Sequence, residues 1–193
     1  MTAAVLLAAL AVAAPVPKGK PAADYLPSSV GTRWEYVRNG DEKRVYVEEV
    51  TESAEKDGVR TVTIAVTTDT GDGRFEKFDI TDGDVRLTES NFGTYDPPMV
   101  VRKAGMKAGD TWTSKYAFGG DVNEVTCTVG KAEKVKVPAG EFTAFPVSRV
   151  YSPPRGGDVV YWYADGVGLV KQTRAGKPEQ ELKSFTPGKG AKK

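Results

Sequence analysis

From residue 24 to residue 186, apolar side chains recur at every second position rather than at helical spacing. Val62, Ile64 and Val66 alternate with Thr61, Thr63 and Ala65, and Val125, Cys127 and Val129 alternate with Thr126 and Thr128. Phe145, Val147 and Tyr151 fall on one face of 144–151. Successive strand side chains point to opposite faces, so this spacing predicts strands with one face in a core. No stretch after residue 23 keeps apolar residues at i, i+3, i+4 and i+7, so no helix is predicted there. The strands read as 32–38, 43–54, 59–68, 74–80, 84–90, 98–102, 111–117, 122–136, 142–151, 158–164, 168–174 and 180–185. Segment 91–110, with Pro97-Pro98, Gly105 and Gly109, reads as the longest irregular stretch.

Turn chemistry agrees with that pattern. Asn39-Gly40, Asp57-Gly58, Asp72-Gly73, Asp82-Gly83 and Asp165-Gly166 each sit between strand-like runs. Such dipeptides tolerate the positive φ of tight hairpins and predict local antiparallel connections. Around Trp162 the chain is apolar on both faces, with Val159, Tyr161 and Tyr163 on one and Val160 on the other. A strand of that kind is covered on both sides, so the sheet must curve around a core. The expected fold is all-β: one curved antiparallel meander over 24–187, a half-barrel or open barrel-like sheet with little or no helix.

Four local patterns carry a resemblance. They are Tyr25-Leu26-Pro27 leading into Val30-Gly31-Thr32-Arg33-Trp34-Glu35-Tyr36, then Lys107-Ala108-Gly109-Asp110-Thr111-Trp112, then Val137-Pro138-Ala139-Gly140-Glu141-Phe142, and last the run from Tyr161 to Lys171. Together, over most of 25–175, they resemble secreted bacterial all-β proteins of unknown function. Those are similar in shape to the half-barrels of periplasmic lipoprotein carriers. The resemblance implies a curved sheet and carries no catalytic residues with it. The residues themselves read as fold determinants: Pro138 and Gly140 turn the chain, and Trp112 anchors the strand after Gly109-Asp110.

The ends suggest a compartment. Residues 3–14 are apolar and uncharged, too short to span a bilayer, and Ala11-Val12-Ala13 offers the small-x-small pattern of a signal-peptidase site. Residues 1–14 are therefore expected to be a signal peptide, cleaved after Ala13 or Ala14, although no Lys or Arg precedes the apolar run. Residues 15–23 read as a Pro-rich linker and 188–193 as a basic disordered tail. The expectation is an exported chain, periplasmic or extracellular, with no transmembrane segment once mature.

Composition narrows the chemistry. The 193 residues contain no histidine, which removes imidazole acid–base catalysis, His-based triads and His-ligated metals. A single cysteine removes intrachain disulfides and thiolate metal clusters. Net charge is +1, so no global nucleic-acid footprint is expected. No phosphate-cradling glycine motif follows a strand, and no cofactor is expected.

Several candidates read more simply as structure. Glu48 and Glu49 are adjacent on a strand and so face opposite ways. Asp69 with Asp72, and Asp79 with Asp82 and Asp84, gather oxygen ligands near glycine but lack a full calcium-loop pattern. Ser53-Ala54-Glu55-Lys56 matches Ser-x-x-Lys, yet precedes a hairpin tip and lacks its companion motifs. Cys127, flanked by alternating valines, reads as an inert core thiol.

The aromatic residues remain. Trp34, Tyr36, Trp112, Tyr161 and Tyr163, with Tyr95 and Trp162 near them in pattern, are the candidates to line a groove. The leading reading is a secreted, non-enzymatic protein holding a lipid-like or other apolar or extended ligand in a concave sheet. The alternative is an envelope scaffold or interaction module docking another envelope protein through an exposed strand edge or face. A third reading is a histidine-free glycan hydrolase using Glu141 and Asp158 as paired carboxylates.

Overall fold

The computed structural model describes residues 25–71, 73–154 and 156–189. The expected leader and linker lie outside them. Among the described residues thirteen strands form one antiparallel sheet: β1 (Arg33–Arg38), β2 (Asp41–Lys56), β3 (Val59–Thr68), β4 (Gly73–Thr81), β5 (Asp84–Ser90), β6 (Gly93–Arg102), β7 (Thr111–Phe118), β8 (Asp121–Val129), β9 (Glu133–Val137), β10 (Gly140–Ser152), β11 (Val159–Ala164), β12 (Gly168–Arg174) and β13 (Lys177–Thr186).

The sheet closes. Each strand from β1 to β8 pairs with its neighbours in sequence, β8 pairs with β10, β10 with β11, and β13 returns to β1. Twelve strands make the barrel wall; β9 pairs only with the first half of β10, in line with β8. The barrel-like all-β expectation therefore holds, with full closure in place of an open half-barrel. Closure uses up strand edges that an open meander would expose.

Local chemistry explains the path. Asn39-Gly40, Asp57-Gly58 and Asp82-Gly83 all sit at positive φ, as two-residue hairpin tips with the strands' own twist require. The run expected as one strand over 122–136 breaks at Gly130, where an added Cβ would lie 2.7 Å from Pro146 Cγ, and becomes β8 and β9. The strand expected over 98–102 begins earlier, at Gly93, and takes in 93–97 of the stretch expected to be irregular, as β6. Pro97 and Pro98 lack N–H groups, and β6 meets β7 in ladder register only at Asp96↔Ala117. Gly188, assigned to a loose tail by its composition, instead donates its N–H to Thr32 Oγ1 at 2.9 Å; residues 190–193 lie outside the described residues.

Alternation sends one residue in two to the interior, as in the strictly alternating burial of β7. Trp34, Tyr36, Val50, Val62, Val147, Val170 and Leu182 are fully buried there. Strand direction puts the 39–40, 119–120 and 175–176 turns at one end of the barrel. The N-terminal segment 25–32 and the 57–58, 82–83 and 165–167 turns lie at the other.

Candidate functional site

The barrel interior is not filled. A cavity of about 290 Å³ lies inside it, lined from β1, β2, β3, β4, β5, β6, β10, β11, β12 and β13. Its floor is apolar: Leu26, Trp34, Phe78, Leu87 and Val101. Tyr25 and Leu26 fold under the barrel and are buried, forming a plug from the chain's own N-terminal side. The plug is held by Arg102, which donates to Tyr25 O. It also packs against Gly168, where an added Cβ would come within 3.3 Å of Tyr25 O at a φ of +92°. Trp34 Nε1 donates to Val167 O at 2.6 Å and ties the same floor to the 165–167 turn.

Above the floor runs a charged belt. Arg38, Glu48, Arg74, Glu76, Arg102, Arg149 and Glu179 all line the cavity. Glu48 lies in phase with Tyr46 and Val50, Glu76 with Phe78, and Arg149 with Val147, so plain alternation turns these three inward. Arg102 and Glu179 arrive by β-bulges. The β5–β6 register skips Val101, which leaves Val101 and Arg102 both buried, and the β12–β13 register skips Glu179. A bulge re-aims the side chains beside it, which is how two consecutive residues can face one interior.

The two deep arginines are held in place by rings. The Arg102 guanidinium lies 4.6 Å from the Tyr163 ring centroid, and Arg149 lies 4.1 Å from that of Tyr161. Tyr161 and Tyr163 stack at 6.1 Å with nearly parallel planes. Arg149 Nη2 donates to Val101 O at 3.0 Å and to Tyr163 Oη at 3.1 Å. Arginine on an aromatic face keeps its planar fork of donors in a fixed orientation.

The belt is electrostatically unsettled. Glu48 and Glu76 share the interior with Arg102 and Arg149, yet no pair among the four reaches salt-bridge distance. Ion pairs such as Lys171–Glu181 at 3.0 Å and Lys183–Glu35 at 3.2 Å stand on the outer face instead. The Nε atoms of Arg38, Arg102 and Arg149 are buried without a hydrogen-bond partner. Burial pushes the Glu48 carboxyl up to about 8, with nearby Glu76 adding to the shift and Arg102 opposing it. Burial raises Glu76 as well, against Arg102 and Arg149. Both glutamates keep some accessible surface, but it faces the cavity, with strands on every side, which is why desolvation still governs them. At the mouth, Arg74 lies over the Phe92 ring at 5.5 Å, and Glu179 accepts from Arg174 Nε at 3.2 Å and from Gln172 Nε2.

Of the five aromatic candidates, Trp34, Tyr36, Tyr161 and Tyr163 line the cavity. Trp112 does not, and its place corrects the expectation. Its Nε1 donates to Val100 O at 3.0 Å while Ser114 Oγ accepts from Val100 N at 3.1 Å. Two β7 side chains thus satisfy the β6 backbone groups that the sparse β6–β7 ladder leaves over. Tyr95 packs against Tyr116 and Phe118 at centroid distances of 5.3 and 4.5 Å, and Trp162 faces outward, donating to Glu133 Oε1 at 2.6 Å. Glu141 is exposed and paired with Lys134 at 2.9 Å, and Asp158 is exposed, so neither belongs to this interior. Burial raises the Cys127 thiol, opposed by Arg149, which keeps it from the reactive thiolate. Of the charged belt, only Glu48 stood out in the sequence, as half of an adjacent carboxylate pair and not as an inward charge.

No family model matches the chain, and no curated protein matches it. Two solved structures do. One is a "putative exported protein with YmcC-like fold" from Bacteroides fragilis NCTC 9343, at 17% identity and a TM-score of 0.52, covering 85% of this chain and 99% of that one. The other is a "putative lipoprotein" from Parabacteroides distasonis ATCC 8503, at 15% identity and a TM-score of 0.51, covering 86% of this chain and all of that one. At these identities the likeness is one of fold.

Proposed function

We propose that this chain is an exported, non-enzymatic protein that binds a small molecule inside its closed β-barrel. The observation that carries the reading is the cavity of about 290 Å³ at the barrel centre, where a spacer domain would have packed side chains. Its volume lies near the lower end of small-molecule pockets, which run from about 300 to 1,000 Å³. Its walls are strands, which hold lining groups more rigidly than loops do. Export is supported by the apolar leader and by the descriptions of the two structural neighbours.

The lining changes the expected ligand. Aromatic residues alone pointed to an apolar or lipid-like molecule; the arginines and glutamates beside them favour one that is partly polar. Docking of an envelope protein along a strand edge is less favoured, because the β10–β11 pairing closes the barrel and leaves β9 as the strand with a ladder on one side only. Native mass spectrometry of the gently purified full chain, followed by solvent extraction, tests the reading. A stoichiometric small-molecule adduct is expected; a bare protein mass that no added small molecule shifts would remove it.

A further inference from the structure

Resting on that reading, we infer that the ligand is a small organic carboxylate, its charged end on Arg102 and Arg149 and its body between Tyr161, Tyr163 and the apolar floor. Four arginines and three glutamates line the cavity. Glu179 is already engaged by Arg174 and Gln172 at the mouth. Arg102 and Arg149 are the two buried arginines of the lining, and they lie closest to rings, at 4.6 Å from Tyr163 and 4.1 Å from Tyr161, against 5.6 Å for Arg38 over Tyr46. A guanidinium carries five N–H donors. Arg102 spends donors on Tyr25 O, and Arg149 on Val101 O and Tyr163 Oη. The Nε of each is buried without a hydrogen-bond partner, and neither Glu48 nor Glu76 reaches salt-bridge distance of either arginine.

Charge balance favours an anion. With burial holding Glu48 toward its protonated form, the interior keeps more positive than negative charge near neutral pH. A buried cation without a counterion is costly, and a bound carboxylate would offset that cost. Carboxylate geometry matches the planar arginine fork, and the floor of Leu26, Trp34 and Phe78 suits a flat or apolar body. A cationic ligand would meet the same surplus of positive charge.

Titration calorimetry with benzoate, benzamide and benzylamine isolates the charge, since the three differ little in shape. Benzoate is expected to bind at least about tenfold more tightly than either partner. Arg102→Gln and Arg149→Gln are each expected to weaken benzoate at least about tenfold, while Lys183→Gln, which removes a charge from the outer face, changes it little. Near-UV dichroism checks that the variants fold. If they do not, the benzoate-to-benzamide ratio on the unaltered chain decides. Benzamide or benzylamine binding as tightly as benzoate, or benzoate not binding, overturns the carboxylate. Benzoate binding undiminished in both folded arginine variants overturns the placement. A small-molecule adduct in native mass spectra would leave the enclosed-ligand reading standing in each case.

Discussion

Arg149 lies over Tyr161, its guanidinium carbon 4.1 Å from the ring centroid, in the wall of the barrel cavity. The contact is shielded by strands, where a cation–π pair is worth about 2 kcal/mol against 0.5–1 at an exposed site. A double-mutant cycle of Arg149→Met and Tyr161→Leu, followed by urea unfolding, is expected to give a coupling of about 1–2 kcal/mol. Additive effects would mean that the ring only fills space beside the arginine.

Glu48 predicts a pH dependence. Its carboxyl is pushed up to about 8 in the folded chain, against 4.5 as the ordinary value. The folded chain therefore holds a proton that the unfolded chain releases, so stability is greatest below that window and falls as pH rises through it. Glu76 is raised in the same direction and adds to the fall. Glu48→Gln should flatten the slope between pH 5 and 8. It should also raise stability at pH 8 by on the order of 2 kcal/mol, less than the full shift because the open mouth admits solvent screening. Urea midpoints of both proteins at pH 5, 6.5 and 8 check this; a wild-type midpoint that climbs over the range would contradict it.

Much of this architecture was legible in the order of residues, and the rest was lost for specific reasons. Alternation located the interior face, and Asn39-Gly40, Asp57-Gly58 and Asp82-Gly83 located hairpins, because both are local consequences of backbone geometry. Trp34, Tyr36, Tyr161 and Tyr163 were legible as a group because each keeps phase with its strand's apolar residues. Glu48, Glu76 and Arg149 keep the same phase; a charge at an inward position was the available signal, and it went unread beside the aromatics. Arg102 and Glu179 had no such signal, since a bulge breaks the period that would have announced them. Closure depends on the meeting of β10 with β11 and of β1 with β13, and the second of these pairs the two ends of the sheet. No local pattern encodes that meeting.

Trp112 holds the seam with the fewest ladder bonds. Trp112→Phe keeps the ring and removes the donor to Val100 O, leaving a part-buried carbonyl without its partner. A loss of about 1–3 kcal/mol is expected, with faster amide exchange in β6 and β7 than in β2 and β3. Because Trp112 lies off the cavity, benzoate affinity should not change. Equal exchange across the whole barrel would deny the seam its special place.

Leu26 tests the plug. It is buried to 4% exposure and forms part of the cavity floor, contributed by a segment that precedes β1 rather than by a strand. Leu26→Ala removes three carbons from a floor whose other parts, Trp34 and Phe78, are fixed on strands and cannot collapse into the gap. Destabilisation of about 2–5 kcal/mol is expected, the range for a core leucine truncated without relaxation. The vacated space extends the cavity downward from the arginines, so the variant should favour carboxylates with a longer apolar body. Comparing benzoate with 4-phenylbutyrate by calorimetry on both proteins reads this directly. A plug that merely covers the barrel end would lower stability and leave that preference unmoved, whereas a floor under the ligand shifts it toward the longer acid.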